Sequence, residues 1–272
     1  MQRVLEARSR LARLDGRFAD AADDLAVGMR FGDLVQKDAS SLIASLVGVA
    51  LFSSSAGSAM ELARDPATPP ETLAQLAAEL ETIGPFDRGL VEALKTEHRT
   101  AGNVVDDLCA KREQGTMAAT LGFNTNRWAI WFLTSRYSFK PNQTKRDMGA
   151  GHRIMIADAG RIYADMEKYD VAEKEGGRWA ELLPNAIGDY LCLLMMPSDA
   201  IVTAKCQADG ILAGAKLVLA CNRFARDKGR CPETLAELVP DFLGEVPRDP
   251  YDGAPFRYSA EKGLVWAVGT NL

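Results

Sequence analysis

The sequence predicts a mainly α protein: an antiparallel helical array followed by a small C-terminal α+β cap that ends in a β-hairpin. Three observations carry that expectation. From the N-terminus to Lys228, apolar residues recur at helical spacing in stripes bounded by recognisable start and stop residues. Hydrophobic residues make up 47% of the chain and aromatics only 7%, an Ala- and Leu-rich balance that favours helix over strand. Past Val246 the pattern changes to short alternating runs separated by Asp-Gly and Lys-Gly turns.

Each element follows from local chemistry. Leu5, Leu11, Ala12, Leu14 and Phe18 form one stripe, Gly16 breaks it, and Ala21, Leu25, Met29, Phe31 and Leu34 begin the next, so the chain opens with a helical hairpin. No second copy follows at the ~34-residue period of tetratricopeptide units, so a repeat array is not supported. Asp38 or Ser40 is placed to cap the following helix. That stretch, 39–60, has no charged residue and is long enough to span a bilayer. Its serines and its amphipathic neighbours predict a buried central helix instead. Thr68, Pro69, Pro70 and Glu71 mark another start, with Thr68 as cap, and Gly84-Pro85 begins a long amphipathic helix over 86–108. Gly115 and Gly122 predict a loop before "WAIWFLTSRY".

After "KPNQT", Asn142 or Thr144 is placed to cap a helix over 145–174, which "EGGRW" ends. "ELLPNAIGDYLCLLMM" is interrupted by Pro184, Gly188 and Pro197, which predicts packed connecting structure rather than helix. The last long helix covers 200–228, with Ala204, Ala208, Ile211, Leu212, Ala215 and Leu219 near one face and Gly229 as its stop. A short helix starts at Pro232, and "FRYSA" and "LVWAV" flank a hairpin turn. The organisation expected is a helical domain over 1–198 and a long helix with its cap over 199–272.

Charge and chemistry narrow the function. A net charge of -5 with intermixed signs argues against a nucleic-acid surface. Five cysteines are scattered without metal-ligand spacing, so neither a metal nor a cofactor is expected. Cys221 and Cys231 either bridge, if the chain folds back after Gly229, or remain free thiols. His98 lies in a charged helix and reads as a solvated side chain. His152, in "GAGHRI", follows two glycines but lacks the strand and third glycine of a dinucleotide loop. Ser259 and Lys262 fall in a hairpin, not on one helical turn, and the adjacent pairs Asp23/Asp24 and Asp106/Asp107 point to different sides of a helix. Trp128, Trp131, Phe132, Tyr137 and Phe139, followed by Lys140, Lys145 and Arg146, form either a core with a basic rim or a ligand groove.

The stretch "GRCPETLAELVPDFLGEVPRDPYDGAPFRYSAEKGLVWAVG" carries a resemblance. Gly229, Pro232, Leu235, Leu238, Pro247, Asp249, Pro250, Gly253, Pro255, Tyr258 and Gly269 stand in the order found in the globular head of the major pseudopilin of type II secretion, with Cys231 where that pattern has Tyr. The chain as a whole is similar to uncharacterised helical envelope proteins of planctomycete-like bacteria, in which an N-terminal anchor precedes such a domain. The resemblance implies export to the periplasm or envelope, an anchor upstream of Met1 and a protein partner. It also implies a calcium loop, but only Asp249, Asp252 and Asn271 are present here toward the six to eight oxygens calcium takes. Asp249 and Asp252 read as turn-formers first and calcium ligands second.

The expectation is a non-enzymatic cell-envelope protein for assembly or protein–protein interaction, with no catalytic residue. Two alternatives stay open. One is a hydrolase-type enzyme with a dispersed site at Arg127, His152 and Asp158. The other is a helical ligand-binding module that uses Trp128, Trp131, Tyr137, Lys140 and His152.

Overall fold

A computed structural model describes residues 2–114, 116–122, 135, 138–166, 185–196 and 200–270. The protein is mainly α, with one two-stranded antiparallel sheet near the C-terminus. Helix α1 (Gln2–Leu14) turns at Gly16, where φ is +75°, into α2 (Phe18–Lys37). Glycine is needed there because a side chain disfavours the left-handed region. Arg8 of α1 binds the buried Asp24 of α2 with its Nε 2.7 Å from Oδ2, and Ser9 donates to the Ala21 carbonyl at 3.0 Å.

Helix α3 (Leu42–Arg64) is the charge-poor segment. Its cap is Ser41, whose hydroxyl accepts from the Ala44 amide at 3.2 Å, rather than Asp38 or Ser40. Ser41 has the extended backbone (φ -151°, ψ 159°) that aims a side-chain oxygen at the first turn, whereas Asp38 (φ -95°, ψ 10°) ends α2. One face of α3 is core, with Phe52, Ala56, Ala59, Leu62 and Ala63 buried against α2 and its neighbours. The helices come unusually close. A Cβ on Gly32 would lie 2.4 Å from the Phe52 amide nitrogen, and one on Gly48 would lie 2.5 Å from the Gln36 amide nitrogen.

Helix α4 (Pro70–Thr82) begins after Pro69, which takes the cap position expected for Thr68. The Thr68 hydroxyl donates instead to the Leu62 carbonyl at 2.6 Å and closes the end of α3. Helix α5 (Asp87–Glu113) runs five residues beyond its expected end before the short α6 (Met117–Thr120). The region from 123 to 134, with the expected "WAIWFL" element, lies outside the described residues.

Helix α7 (Pro141–Asp158) starts four residues earlier than expected and ends well before Lys174. Neither Asn142 nor Thr144 caps it. The amide of Lys140, at the cap position, donates to Asn185 Oδ1 at 2.6 Å, while Thr144 accepts from Asn185 Nδ2 at 2.9 Å. After α7, Gly160 interrupts and a 3₁₀ turn (Tyr163–Asp165) docks on the cap, with the amides of Tyr163 and Ala164 donating to the carbonyls of Pro250 and Tyr251 at 3.0 and 2.9 Å. The segment expected as connecting structure contains a helix, α8 (Ala186–Met195). Its apolar residues Ile187, Leu191 and Cys192 complete a core with Val105, Leu108 and Met148, and that burial outweighs the local break signals.

Helix α9 (Ala200–Lys228) serves two cores at once. Ala208, Leu212, Ala215 and Leu219 join the core of α1 to α4, whereas Leu217, Ala220 and Phe224 pack under the cap. Residues on both sides of position 198 therefore share one apolar interior. The cap consists of a 3₁₀ turn (Leu235–Leu238) with a Thr234/Glu237 capping box, a proline-rich loop, and strands β1 (Arg257–Ser259) and β2 (Leu264–Trp266). Tyr258 pairs with Val265 in the hairpin, and the Tyr258 hydroxyl donates to the Pro232 carbonyl at 2.7 Å.

The close approach of α2 and α3 makes a prediction. Gly32→Ala forces backbone against backbone and should lower stability by about 1–3 kcal/mol. Gly102→Ala meets nothing within 4 Å in the middle of α5 and should raise stability by up to about 1 kcal/mol through helix propensity. Urea unfolding of both variants followed by circular dichroism checks the opposite signs.

Candidate functional site

Of the expected ligand-binding residues, Trp128, Trp131 and Tyr137 lie outside the described residues, as does Arg127. Phe139 is buried in the core of α5, α7 and α8, and the cation over its ring is Arg112, 5.7 Å from the centroid, which also donates to the Phe139 carbonyl at 3.2 Å. Lys140 is half-buried at the start of α7. The structure thus places Phe139 in packing, with its basic rim supplied from α5.

His152 sits mid-helix in α7 and is buried. Its neighbour is the exposed His98 of α5, with ring centroids 5.1 Å apart, and His98 also lies beside Gly149. Nδ1 lies 2.8 Å from the Met148 carbonyl, which makes it the protonated nitrogen, and Nε2 is buried with no hydrogen-bond partner. Burial holds the His152 pKa below the ordinary imidazole value, only partly opposed by the Met148 carbonyl. Asp158 lies six residues on along α7 and pairs with Arg161 at 3.0 Å. Among the described residues His152 is hydrogen-bonded to a backbone carbonyl and to no carboxylate, unlike a general base oriented by an acidic partner.

The acidic residues of the cap are occupied. Asp249, fully buried, accepts from the Tyr251 amide at 2.9 Å, the Val268 amide at 2.8 Å and Arg257 Nη1 at 2.9 Å. Asp252 accepts from the Ala254 amide at 3.0 Å and from Arg257, and the Arg257 hydrogen bond holds its carboxyl below the usual range. A cation at this place would have to displace a guanidinium already bound to both carboxylates. No group of three or more metal-ligating side chains occurs among the described residues.

The five thiols are unbridged. Cys221 and Cys231 line one cavity of about 470 Å³ with Tyr258, and burial raises the Cys221 pKa to about 11, which keeps it a protonated thiol. A cleft of about 610 Å³ between α4, the end of α9 and Phe242 is lined by Glu71, Arg223, Arg226 and Asp241. Arg223 lies over the Phe242 ring at 5.7 Å, and Arg226 donates to the carbonyls of Thr68 and Asp65. These cations fasten the cap and the α3–α4 loop to α9.

The feature that sequence reading missed is on the outside of the first helices. Val4, Leu11 and Leu14 on α1, Val27 and Leu34 on α2, and Ile43 and Val47 on α3 are all exposed. Within each helix they recur at three-, four- or seven-residue spacing, which puts them on one face. Of the stripes expected in the first hairpin, Ala12, Ala21, Leu25 and Met29 are buried, whereas Leu11, Leu14 and Leu34 face outward. The buried positions of α1 are Ser9 and Ala12, small residues that allow α1 to lie close on α2. Compared with known protein families, characterised proteins and solved structures, the chain matches none.

Two predictions arise from these geometries. His152 is neutral in the folded protein and has a lowered pKa, so the unfolded chain binds the extra proton. Stability is fully present above the ordinary imidazole value of 6.5 and falls as pH drops below it, by at most about 1.4 kcal/mol per pH unit. Urea midpoints at neutral and mildly acidic pH should therefore diverge in the wild type and converge in His152→Gln. In the cap, Asp249→Ala leaves the Tyr251 and Val268 amides without acceptors and should lower stability by roughly 2–4 kcal/mol. Added calcium should leave the melting temperature of the wild type unchanged in differential scanning fluorimetry.

Proposed function

We propose that this chain is a non-enzymatic assembly protein of the cell envelope, held there by a segment upstream of residue 1, and that it acts by binding another protein through the outer faces of its first helices. The observation that carries the reading is the set of seven aliphatic side chains exposed on α1, α2 and α3. Fully burying one such side chain stabilises by about 1.5–3 kcal/mol, so a partner that covers even one of these faces gains substantially. Large exposed apolar patches on folded chains mark protein or membrane interaction sites and ligand grooves. The envelope assignment draws on the likeness of the segment from Gly229 to Gly269 to the pseudopilin head. That segment packs on α9 through Leu235, Leu238, Leu243 and Phe256 against Leu217, Ala220 and Phe224.

The test uses full-length protein at native abundance in its source cells. Chemical cross-linking of the envelope fraction should give a discrete species larger than the free chain, and the double substitution Leu11→Glu/Leu14→Glu should abolish it while circular dichroism of the purified variant stays unchanged. A chain found only in the soluble cytosolic fraction, or cross-linked products unaltered by the variant, would overturn the proposal.

A further inference from the structure

Cys231 is exposed, Cys221 is half-buried, and both line the cavity of about 470 Å³ where α9 meets the hairpin. Their placement follows from how the chain leaves the helix. Gly229, at φ +69°, turns the backbone just after Lys228. Cys221 stands about 10 Å back from Lys228 along the helix axis, and the run from Lys228 to Cys231 covers about 10 Å when extended. A chain that turns straight back therefore brings Cys231 level with Cys221. The residues on either side of Cys231 are anchored where this path requires. Arg230 lies over the ring of Phe224, 5.2 Å from its centroid and one helical turn beyond Cys221, and it binds Glu237 at 2.7 Å. The Pro232 carbonyl accepts from the Tyr258 hydroxyl at 2.7 Å, and Tyr258 lines the same cavity.

We propose that Cys221 and Cys231 are a redox pair, which a small-molecule disulfide converts into a covalent bond between α9 and the start of the cap. This goes beyond the assembly role and does not rest on it. The remaining thiols are placed elsewhere. Cys206 lies on α9 about 22 Å from Cys221 along the axis, and Cys109 and Cys192 belong to the core of α5, α7 and α8. Burial first, and the charge of nearby Cys231 second, raise the Cys221 pKa to about 11. The two thiols therefore differ in role: one meets the solvent, and the other waits behind it as a protonated thiol.

With glutathione disulfide as the oxidant, the exposed Cys231 reacts first. Its thiolate attacks one glutathione sulfur, which forms a mixed disulfide and releases one glutathione thiolate; that thiolate takes up the proton Cys231 gave to solvent. The Cys221 sulfur then attacks the Cys231 sulfur, the second glutathione thiolate leaves, and it takes up the proton of Cys221. Two protein thiols are oxidised, and one small disulfide is reduced to two thiols. Because Cys221 is protonated, the second step is the slower one and quickens as pH rises. The loop closed by the bond runs from 221 to 231 and contains the helix stop at Gly229. It removes freedom mainly from the unfolded chain, so the oxidised protein is the more stable form.

Mass spectrometry of the reduced full chain, treated with glutathione disulfide under native conditions and then blocked with N-ethylmaleimide in urea, tests this. The wild type should take up maleimide at three of its five cysteines and retain no glutathione. Trypsin cuts at Arg223, Arg226, Lys228 and Arg230, so the bond should appear as peptide 217–223 linked to peptide 231–248, and dithiothreitol should separate them. Cys221→Ser lacks the second thiol and should stop with one glutathione held on Cys231; should that variant fail to fold, Cys221→Ala serves the same purpose. Cys231→Ser should give no linked pair. The melting temperature of the wild type should rise on oxidation and return on reduction, and that of Cys231→Ser should not move. Glutathione retained on Cys231 in the wild type overturns the proposal, as does a link from Cys231 to another cysteine or to a second chain. So does a linked pair that forms only in urea, or one that lowers the melting temperature. Maleimide trapping in the source cells keeps the two readings apart: a chain that bridges when purified but is fully reduced in cells counts against the envelope assignment and leaves this inference standing.

Discussion

The contact on which the rest of the fold depends is the approach of three helix backbones around Gln36. This side chain is buried at the end of α2, and its Nε2 donates to the Phe86 carbonyl at 2.7 Å, at the start of α5. Gly48 of α3 and Gly89 of α5 close on it from two sides, and a Cβ on Gly89 would lie 2.3 Å from the Gln36 carbonyl oxygen. With Gly32 admitting Phe52 on the turn before, the helices pack at distances that no side chain tolerates. A buried amide with a satisfied partner also fixes the register of α2 against α5, since a shift by one residue would strand its polar atoms. The orientation of α3 follows, with Phe52, Ala56 and Ala59 turned inward and Ile43, Val47 and Ala50 turned out.

From that nucleus the second half is added along α9. Its two apolar faces are offset around the helix, so the core of α1 to α4 and the interior of the cap are joined through one rigid element. The pair Lys205 and Asp209 lies nearly buried on the same helix at 2.9 Å, and Asp209 also accepts from the Phe86 amide at 3.0 Å. Burial is the main influence on Asp209 and raises its pKa, which the lysine and the amide only partly oppose. The pair thus ties α9 to the turn where Gln36 also holds, so both halves are fastened at the start of α5. In the cap, Asp249 plays the corresponding part. One carboxylate organises the Asp-Gly turn, Arg257 of β1 and the chain after β2, which is why prolines can fill that loop without regular backbone pairing.

Much of this was legible in local sequence because the signals were themselves local. The Gly16 break, both ends of α9, the Asp252-Gly253 turn and the hairpin each depend on residues within a few positions of one another. The misjudged features depended on distant partners. Thr68 is a plausible cap by composition, but the Leu62 carbonyl offers its hydroxyl a better acceptor. Helix α8 is broken in sequence by Gly188, whose missing Cβ lets Asn185 and Thr144 meet, since a Cβ there would fall 1.9 Å from Asn185 Nδ2. Helix α7 stops early because the segment after Gly160 finds backbone partners in the cap. His152 could be singled out by its flanking glycines, yet its burial under His98 is a property of how α5 crosses α7, and no pattern within "GAGHRI" contains it.

The uncharged stretch from 39 to 60 shows where composition alone loses its power. Length and apolarity are equally consistent with a membrane span, a core helix and an interface helix, and α3 meets the first criterion by hydropathy. What separates these environments is how burial is distributed around the axis. A span surrounded by lipid needs apolar residues all round, and a central core helix would be covered all round. Helix α3 is covered on one side only, where Gly48, Phe52, Ala56 and Ala59 pack inward, and it keeps branched aliphatics on the other. Its serines divide in the same way: Ser45 and Ser55 are buried, whereas Ser54 is exposed on the outer seam beside Glu6. A helix that is apolar on both faces but packed on one has a surface that water solvates poorly, and the constraint at Gln36 prevents it from rotating that surface inward.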